Sequence, residues 1–155
     1  FLREFVPRVR SFPGVRPLFE RIVNDGMRIV LASSAKAEEV ERHLRSLQAG
    51  DLVESTTSAD DVEHSKPCPD IFQAALAKLE GVEPGAALVV GDTPYDAKAA
   101  ARAGMATIAV LSGGFAEPEL RASGAIAVYR DIAELHARYD QSPLARGAKA
   151  KTATG

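Results

Sequence analysis

Three things are scarce in this sequence: charge of one sign, cysteine and long apolar runs. The formal net charge is −2 over 155 residues. No basic footprint marks a nucleic-acid partner, and nothing draws the chain to an anionic membrane surface. The single cysteine, Cys68, excludes an internal disulfide and fits a reducing, cytoplasmic setting. No apolar stretch approaches the roughly 20 residues of a membrane span, and no signal-peptide pattern opens the chain, so no membrane partner is expected. The histidines are few as well: His43, His64 and His136 have no metal-ligand spacing with other residues. Neither a GxxxxGK phosphate loop nor a GxGxxG after a strand occurs, which leaves nucleotide binding by those routes unsupported.

What the chain does have is the make-up of one ordinary globular domain, 46% hydrophobic and 26% charged. Its organising stretch is Ala87 to Gly104, ALVVGDTPYDAKAAARAG. The run Ala87-Leu88-Val89-Val90 reads as a strand buried on both faces. Gly91 ends it and Asp92 follows as the chain leaves the sheet. Thr93 and Pro94 then open a helix, as N-cap and first helical residue, and Gly104 closes it. Two carboxylates, Asp92 and Asp96, therefore lie at the carboxyl end of a strand and in the first turn of the next helix, the edge where open parallel sheets bind ligands.

Around that stretch the chain alternates. Val15 to Asn24 has helical apolar spacing, closed by Gly26. Arg28 to Ala32 is a buried strand delivering Ser33-Ser34, and Lys36 to Leu47 a helix. Gly50 to Thr57 is expected to hold a short strand, around Leu52-Val53, followed by a polar loop from Asp60 to Pro69 and a helix capped by Asp70 and running to Leu79. Ala106 to Leu111 is a further strand ending in the flexible loop Ser112-Gly113-Gly114. Glu117 to Ala122, Ala125 to Tyr129 and Ile132 to Tyr139 follow as helix, strand and helix. The pattern predicts a Rossmann-like α/β fold, a parallel sheet with helices on both faces. Residues 1–12 read as a connector or the end of a helix, 13–140 as the core domain, and 141–155 as a flexible tail. Phe1, not Met, opens the chain inside an amphipathic pattern, as in a chain entered partway.

Several residues carry two readings each. Two neighbouring acids repel unless a cation sits between them, and hard oxygen ligands suit Mg²⁺; equally, Asp92 could be an N-cap and Asp96 a favourable first-turn charge. Ser33 and Ser34 could bind phosphate oxygens at a helix N-terminus or only cap that helix. Lys66 could neutralise a phosphoryl group or be one more solvated lysine. His64, beside it, is a weaker candidate for substrate contact, and Cys68 reads as a packed small side chain. The conjunction of Ser33, Lys66, Asp92 and Asp96 says more than any member, and the four are predicted to converge at one edge of the sheet.

The segments LASS, SKPCPDIF and VVGDTPYDAKAAARAG, in that order and spacing, resemble the second, third and fourth motifs of the haloacid dehalogenase-like hydrolases, over about Pro13 to Leu135. That resemblance implies roles. Ser33 would hydrogen-bond the transferring phosphoryl group, assisted by the Ser34 backbone amide. Lys66 would offset the negative charge of phosphate and nucleophile. Asp92 and Asp96 would hold Mg²⁺, directly or through water. Within the family, SKPCPDIF and the GDxxxD pattern look most like the phosphoglycolate phosphatase and β-phosphoglucomutase branch. The dehalogenase branch needs no metal, and the acid pair argues against it. The implied partner is a small phosphorylated metabolite.

The same resemblance exposes what is not there. The family's nucleophile is the first Asp of a DxDx[ST] motif on a central strand, and its general acid and base is the second. No such motif occurs; the one Asp before Ser33 is Asp25, near the end of a helix. The cap module is missing too, apart from a final helix that residues 1–12 could represent. The expectation is a Mg²⁺-dependent phosphomonoester hydrolase acting through an aspartyl-phosphate in the complete protein, with this chain lacking the nucleophile and inactive alone. The alternatives are a non-catalytic fragment or binding module of the same fold, or a sugar-phosphate mutase. An upstream reading frame encoding DxDx[ST] separates the first from the second.

Overall fold

The computed structural model describes residues 15–145. Within them the chain alternates as α1 (Val15–Asn24), β1 (Val30–Ala32), α2 (Ala37–Leu47), β2 (Ser55–Thr57), α3 (Asp70–Ala77), β3 (Leu88–Gly91), α4 (Pro94–Arg102), β4 (Ala106–Val110), α5 (Glu117–Ala122), β5 (Ala125–Tyr129) and α6 (Ile132–Ala137). Every strand pair is parallel, as the alternation of strand and helix requires. The fold is the Rossmann-like α/β arrangement that the sequence predicts.

Two apolar layers follow from the period-2 geometry of the strands, in which successive side chains point to opposite faces. Leu31 and Val90 join α1 and α6 in one core, with Val15, Leu18, Phe19, Ile22 and Leu135. Their chain neighbours Ala32 and Val89 join α3 and α4 in the other, with Ile71, Phe72, Ala99 and Ala100. The buried positions of α1 recur at i, i+3, i+4 and i+7, a single helical stripe. Full burial of a side chain such as Phe19, Leu31 or Ile108 is worth about 1.5–3 kcal/mol. Gly26, at φ +86°, supplies the left-handed step that ends α1.

The strands form two sheets, β1-β2 and β3-β4-β5, with no ladder joining β1 to β3 among the described residues. A cavity of about 850 Å³ is lined from both sides, by Val30 and Ala32 of β1, Val89 and Val90 of β3, and Phe72 and Leu76 of α3. This split lies between the two strands that deliver Ser33 and Asp92. No helix among the described residues is long and apolar enough to cross a membrane.

Some local expectations change. The strand expected around Leu52-Val53 lies later, at Ser55–Thr57, and Gly50–Leu52 is a single 3-10 turn. Leu52 and Val53 pack on the core from that turn, so their apolar character reflects burial and not strand geometry. Polar Ser55 and Thr56 form the strand because pairing with Val30 and Leu31 satisfies their backbone. Asp70 does not cap α3; it is its first helical residue, after Pro69, and its carboxylate turns to His64 instead. α6 ends at Ala137, and a 3-10 turn follows at Tyr139–Gln141. Over its described part the stretch read as a tail from Gln141 is packed, with Ser142, Leu144 and Ala145 buried. The segment 1–12 and the remainder of that tail lie outside the described residues.

Candidate active site

Both inner strands end in a polar step at the same edge of the fold. After β1, the Ser33 N–H donates to the Thr57 carbonyl at 2.9 Å, extending the pairing with β2. Ser33 is buried, and its Oγ accepts the Ala35 N–H at 3.0 Å. Neither serine caps α2: the N-cap position is Lys36, with no side-chain cap. The capping alternative for Ser33 and Ser34 therefore fails, and the Ser33 hydroxyl keeps its own proton as a donor. Ser34 is exposed and lines, with His64, Ser65 and Lys66, a cavity of about 240 Å³.

After β3, Asp92, Thr93 and Asp96 form one tight turn. Thr93 is the N-cap of α4: its Oγ1 accepts the Asp96 N–H at 3.1 Å. In return Asp96 Oδ2 accepts the N–H groups of Asp92 and Thr93, both at 3.1 Å. This reciprocal capping box answers the alternative raised for the acids, with one change of residue. Thr93, not Asp92, caps the helix, while Asp96 carries the structural load on one oxygen. Its other oxygen, Oδ1, accepts from the Lys66 ammonium. Side-chain exposure is 5% for Lys66 and 0% for Asp96, which removes Lys66 from the class of solvated surface lysines. Asp92 is fully buried as well. Lys66, Asp92 and Asp96 are thus brought together, with Ser33 and Ser34 on the loop after the neighbouring strand.

The loop carrying Lys66 is anchored at both ends. Asp61 Oδ2 accepts the Ser58 N–H at 2.8 Å and the Lys78 ammonium at 3.4 Å. The Ser58 amide, and then the Lys78 charge, hold the Asp61 carboxyl below its ordinary range. Further along, Asp70 Oδ2 accepts the His64 N–H at 3.3 Å and lies 3.0 Å from His64 Nδ1. The His64 side chain is 66% exposed.

Two glycines were missed as site residues, and both matter through what they lack. A Cβ on Gly91 would lie 2.7 Å from Asp96 Cβ. A Cβ on Gly113 would lie 2.5 Å from the Asp92 carbonyl oxygen and 2.6 Å from its Oδ2. The loop read as flexible from Ser112 is an ordered 3-10 turn over Leu111–Gly113, with Ser112 Oγ donating to the Arg130 carbonyl at 3.4 Å. The T-x-x-D spacing at Thr93 and Asp96 could have signalled the capping box. No local pattern signals that Gly113 folds back on a residue 21 positions earlier.

As a cation site the arrangement offers hard carboxylate oxygens, the donor type that Mg²⁺ takes, in two places where glycine leaves room beside the carboxylate. Both oxygens of Asp96 are engaged, by Lys66 and by the two amides, and Asp92 lies buried one turn away. Among the described residues no group of three or more His, Cys, Asp or Glu side chains comes together.

A family model described as haloacid dehalogenase-like hydrolase matches residues 2–110. The phosphoglycolate phosphatase of Rhodospirillum rubrum is 31% identical over 124 residues, covering 80% of this chain and 51% of that protein. The chloroplastic protein SUPPRESSOR OF QUENCHING 1 of Arabidopsis thaliana is 34% identical over 126 residues, covering 81% of this chain and 12% of that one. The crystal structure of a hydrolase from Pseudomonas syringae superposes with a TM-score of 0.76 at 29% identity, covering 87% of this chain and 65% of the other. The chain thus spans about half the length of the first of these relatives and an eighth of the second.

Proposed function

The chain belongs to the haloacid dehalogenase-like hydrolases, in the branch of phosphoglycolate phosphatase and β-phosphoglucomutase-like proteins, and we propose that it supplies the phosphate- and cation-handling part of a Mg²⁺-dependent phosphomonoester hydrolase. The observation that carries this reading is the burial of Lys66 against Asp96, one turn from buried Asp92. A buried ammonium beside two carboxylates is costly to assemble for stability alone. It is suited to a dianionic phosphoryl group arriving at the edge of the sheet.

In the proposed reaction Ser33 Oγ–H and the Ser34 N–H donate to phosphoryl oxygens and fix the group. Lys66 offsets the charge that gathers as the phosphoryl group transfers. Asp96 orients Lys66 through Oδ1, while its other oxygen keeps the turn closed. Asp92, with Asp96 through water, would hold Mg²⁺, which supplies Lewis-acid neutralisation of the phosphate. The carboxylate that would attack phosphorus and displace the alcohol, and the acid that would protonate that alcohol, have no counterpart at a matching position here, so neither formation of the acyl phosphate nor its hydrolysis to inorganic phosphate is assigned to residues of this chain. The split between β1 and β3 supports this assignment, because the family's nucleophile strand runs between those two strands. The substrate class is a small phosphorylated metabolite, in the reducing cytoplasmic setting that the lone cysteine suits.

Titrating Mn²⁺ into the chain with electron paramagnetic resonance detection tests the cation site. Weak binding, lost in Asp92→Ala, is expected, since the missing nucleophile would itself be a ligand. Tight binding, or binding indifferent to Asp92, overturns the assignment. With p-nitrophenyl phosphate and Mg²⁺ the chain alone should show no turnover; turnover abolished by Asp92→Ala would contradict the absence of a nucleophile.

A further inference from the structure

Asp92 lies at the end of β3, in register with the end of β4: Gly91 pairs with Ala109, and one residue beyond, Asp92 stands beside Val110. From Val110 the chain does not leave the sheet. It curls through the 3-10 turn Leu111–Gly113, closed by the Gly114 N–H on the Leu111 carbonyl at 3.0 Å, and this turn sets the Gly113 Cα against Asp92. A Cβ at Gly113 would lie 2.5 Å from the Asp92 carbonyl oxygen, 2.6 Å from Oδ2 and 2.9 Å from Asp92 Cβ. All three fall inside the separation that carbon and oxygen atoms tolerate. The carbonyl is backbone at the end of a hydrogen-bonded ladder, so it cannot swing away as the tip of a long side chain could.

The backbone of Gly113 does not itself call for glycine. Five glycines in the described chain have positive φ, Gly26, Gly81, Gly104, Gly114 and Gly124, and Gly113 is not among them. Glycine stands at 113 because of space, and the space is filled by Asp92. Gly114, its neighbour, is the reverse case: φ is +89° and nothing lies within 4 Å of a would-be Cβ. Adjacent residues of one turn thus separate two roles, contact with the acid and conformation of the turn.

We propose that Gly113 is a positioning residue for Asp92: the bare Cα of the Leu111–Gly113 turn is the wall that fixes the Asp92 carboxylate where a divalent cation is taken. This rests on the reading of Asp92 as a cation ligand, and it assigns to the β4–α5 connection a part in the site that the acid pair alone does not explain. Residues that orient a metal ligand typically change metal affinity about 10–100-fold when altered.

The test compares Gly113→Ala with Gly114→Ala in the chain itself, using two readouts. One is the ¹³C resonance of the Asp92 carboxyl in metal-free protein; the other is Mn²⁺ affinity. Gly113→Ala should move the Asp92 resonance and weaken Mn²⁺ by at least about tenfold. Gly114→Ala should lower the thermal midpoint through backbone strain yet leave both readouts at their wild-type values. An unmoved Asp92 resonance in Gly113→Ala overturns the proposal, and so do equal changes in the two variants, which would make the turn a structural element only. If wild-type protein takes no Mn²⁺, the cation reading fails, while the metal-free resonance still decides the role of Gly113. Should Gly113→Ala not fold, Asp92→Asn in the otherwise unaltered chain decides: a shifted Gly113 Cα resonance supports direct contact with the acid, and an unshifted one overturns it.

Discussion

Removing both partners of the Lys66–Asp96 pair should cost less than the sum of removing each alone. Asp96 performs two jobs on two oxygens. Oδ1 takes the Lys66 ammonium, and Oδ2 takes the amides of Asp92 and Thr93. With side-chain exposures of 0% and 5%, water cannot replace a lost partner, and breaking a buried pair from one side costs about 3–5 kcal/mol. Asp96→Ala also strips two buried amides of their acceptor, at about 1–3 kcal/mol each. It should approach the whole stability of a domain this size, about 5–15 kcal/mol. Asp96→Asn retains an oxygen for the amides and loses only the charge, so about 3 kcal/mol is expected. Lys66→Met leaves two buried carboxylates on one short turn, where like charges repel, and a similar loss follows. In the Asp96→Asn/Lys66→Met double variant no buried charge lacks its counterpart at that contact. It should be more stable than the sum of the singles by about 2 kcal/mol or more. Urea unfolding at constant slope measures all four proteins, and about 0.5 M salt should leave the coupling in place because screening acts on exposed charge. Additive single losses, or a coupling that salt removes, would refute the reasoning.

Other consequences can be checked on the same protein. Because β1 and β3 belong to separate sheets, the chain should unfold at a low temperature or with a midpoint that rises with protein concentration as copies cover the open edges; a cooperative, concentration-independent transition at high temperature would contradict this. Acid should destabilise it in a defined direction. Asp51 is held below the usual carboxyl range by Arg16, Glu54 by Arg28, and Asp61 by the Ser58 amide. A lowered folded-state pKa contributes stability that is complete above the unfolded value of about 4 and drains away as pH falls through the folded value. Stability should therefore decline below about pH 4, and Asp61→Asn should flatten that decline; a steeper decline in the variant would reverse the sign argued here.

How much of this was legible beforehand depends on the range of the interaction involved. α5 and β5 fall at the bounds read from the sequence, Glu117–Ala122 and Ala125–Tyr129. There, short-range signals agree: an acidic first turn, a glycine stop and an apolar run. β2 was displaced because its strand character lies in pairing with Val30 and Leu31, about 25 residues earlier, and not in its own Ser-Thr-Thr composition. Asp70 resembles an N-cap by residue type, yet a competing acceptor role toward His64 governs its side chain. The packing of Ser142, Leu144 and Ala145 against the core follows the same rule, since three small or apolar residues become core only where α1 and α6 leave a place for them.

The site divides along the same line. Thr93, Pro94 and Asp96 could be placed from their own spacing, because a capping box is closed within four residues. Ser33 and Asp92 could be placed from topology, because parallel strands deliver their following residues to one edge. Lys66 is harder, lying in a polar loop where residue type argues for solvent. Its burial comes from a contact 30 residues away with Asp96. What made it legible was its company with Ser33 and the acid pair, a pattern no member carries alone. Gly113 marks the far limit. A missing side chain leaves no chemical signature in the sequence, and its reason exists only in the distance to Asp92. Residues whose function is to be absent from a space become visible when the neighbour that fills that space has been located.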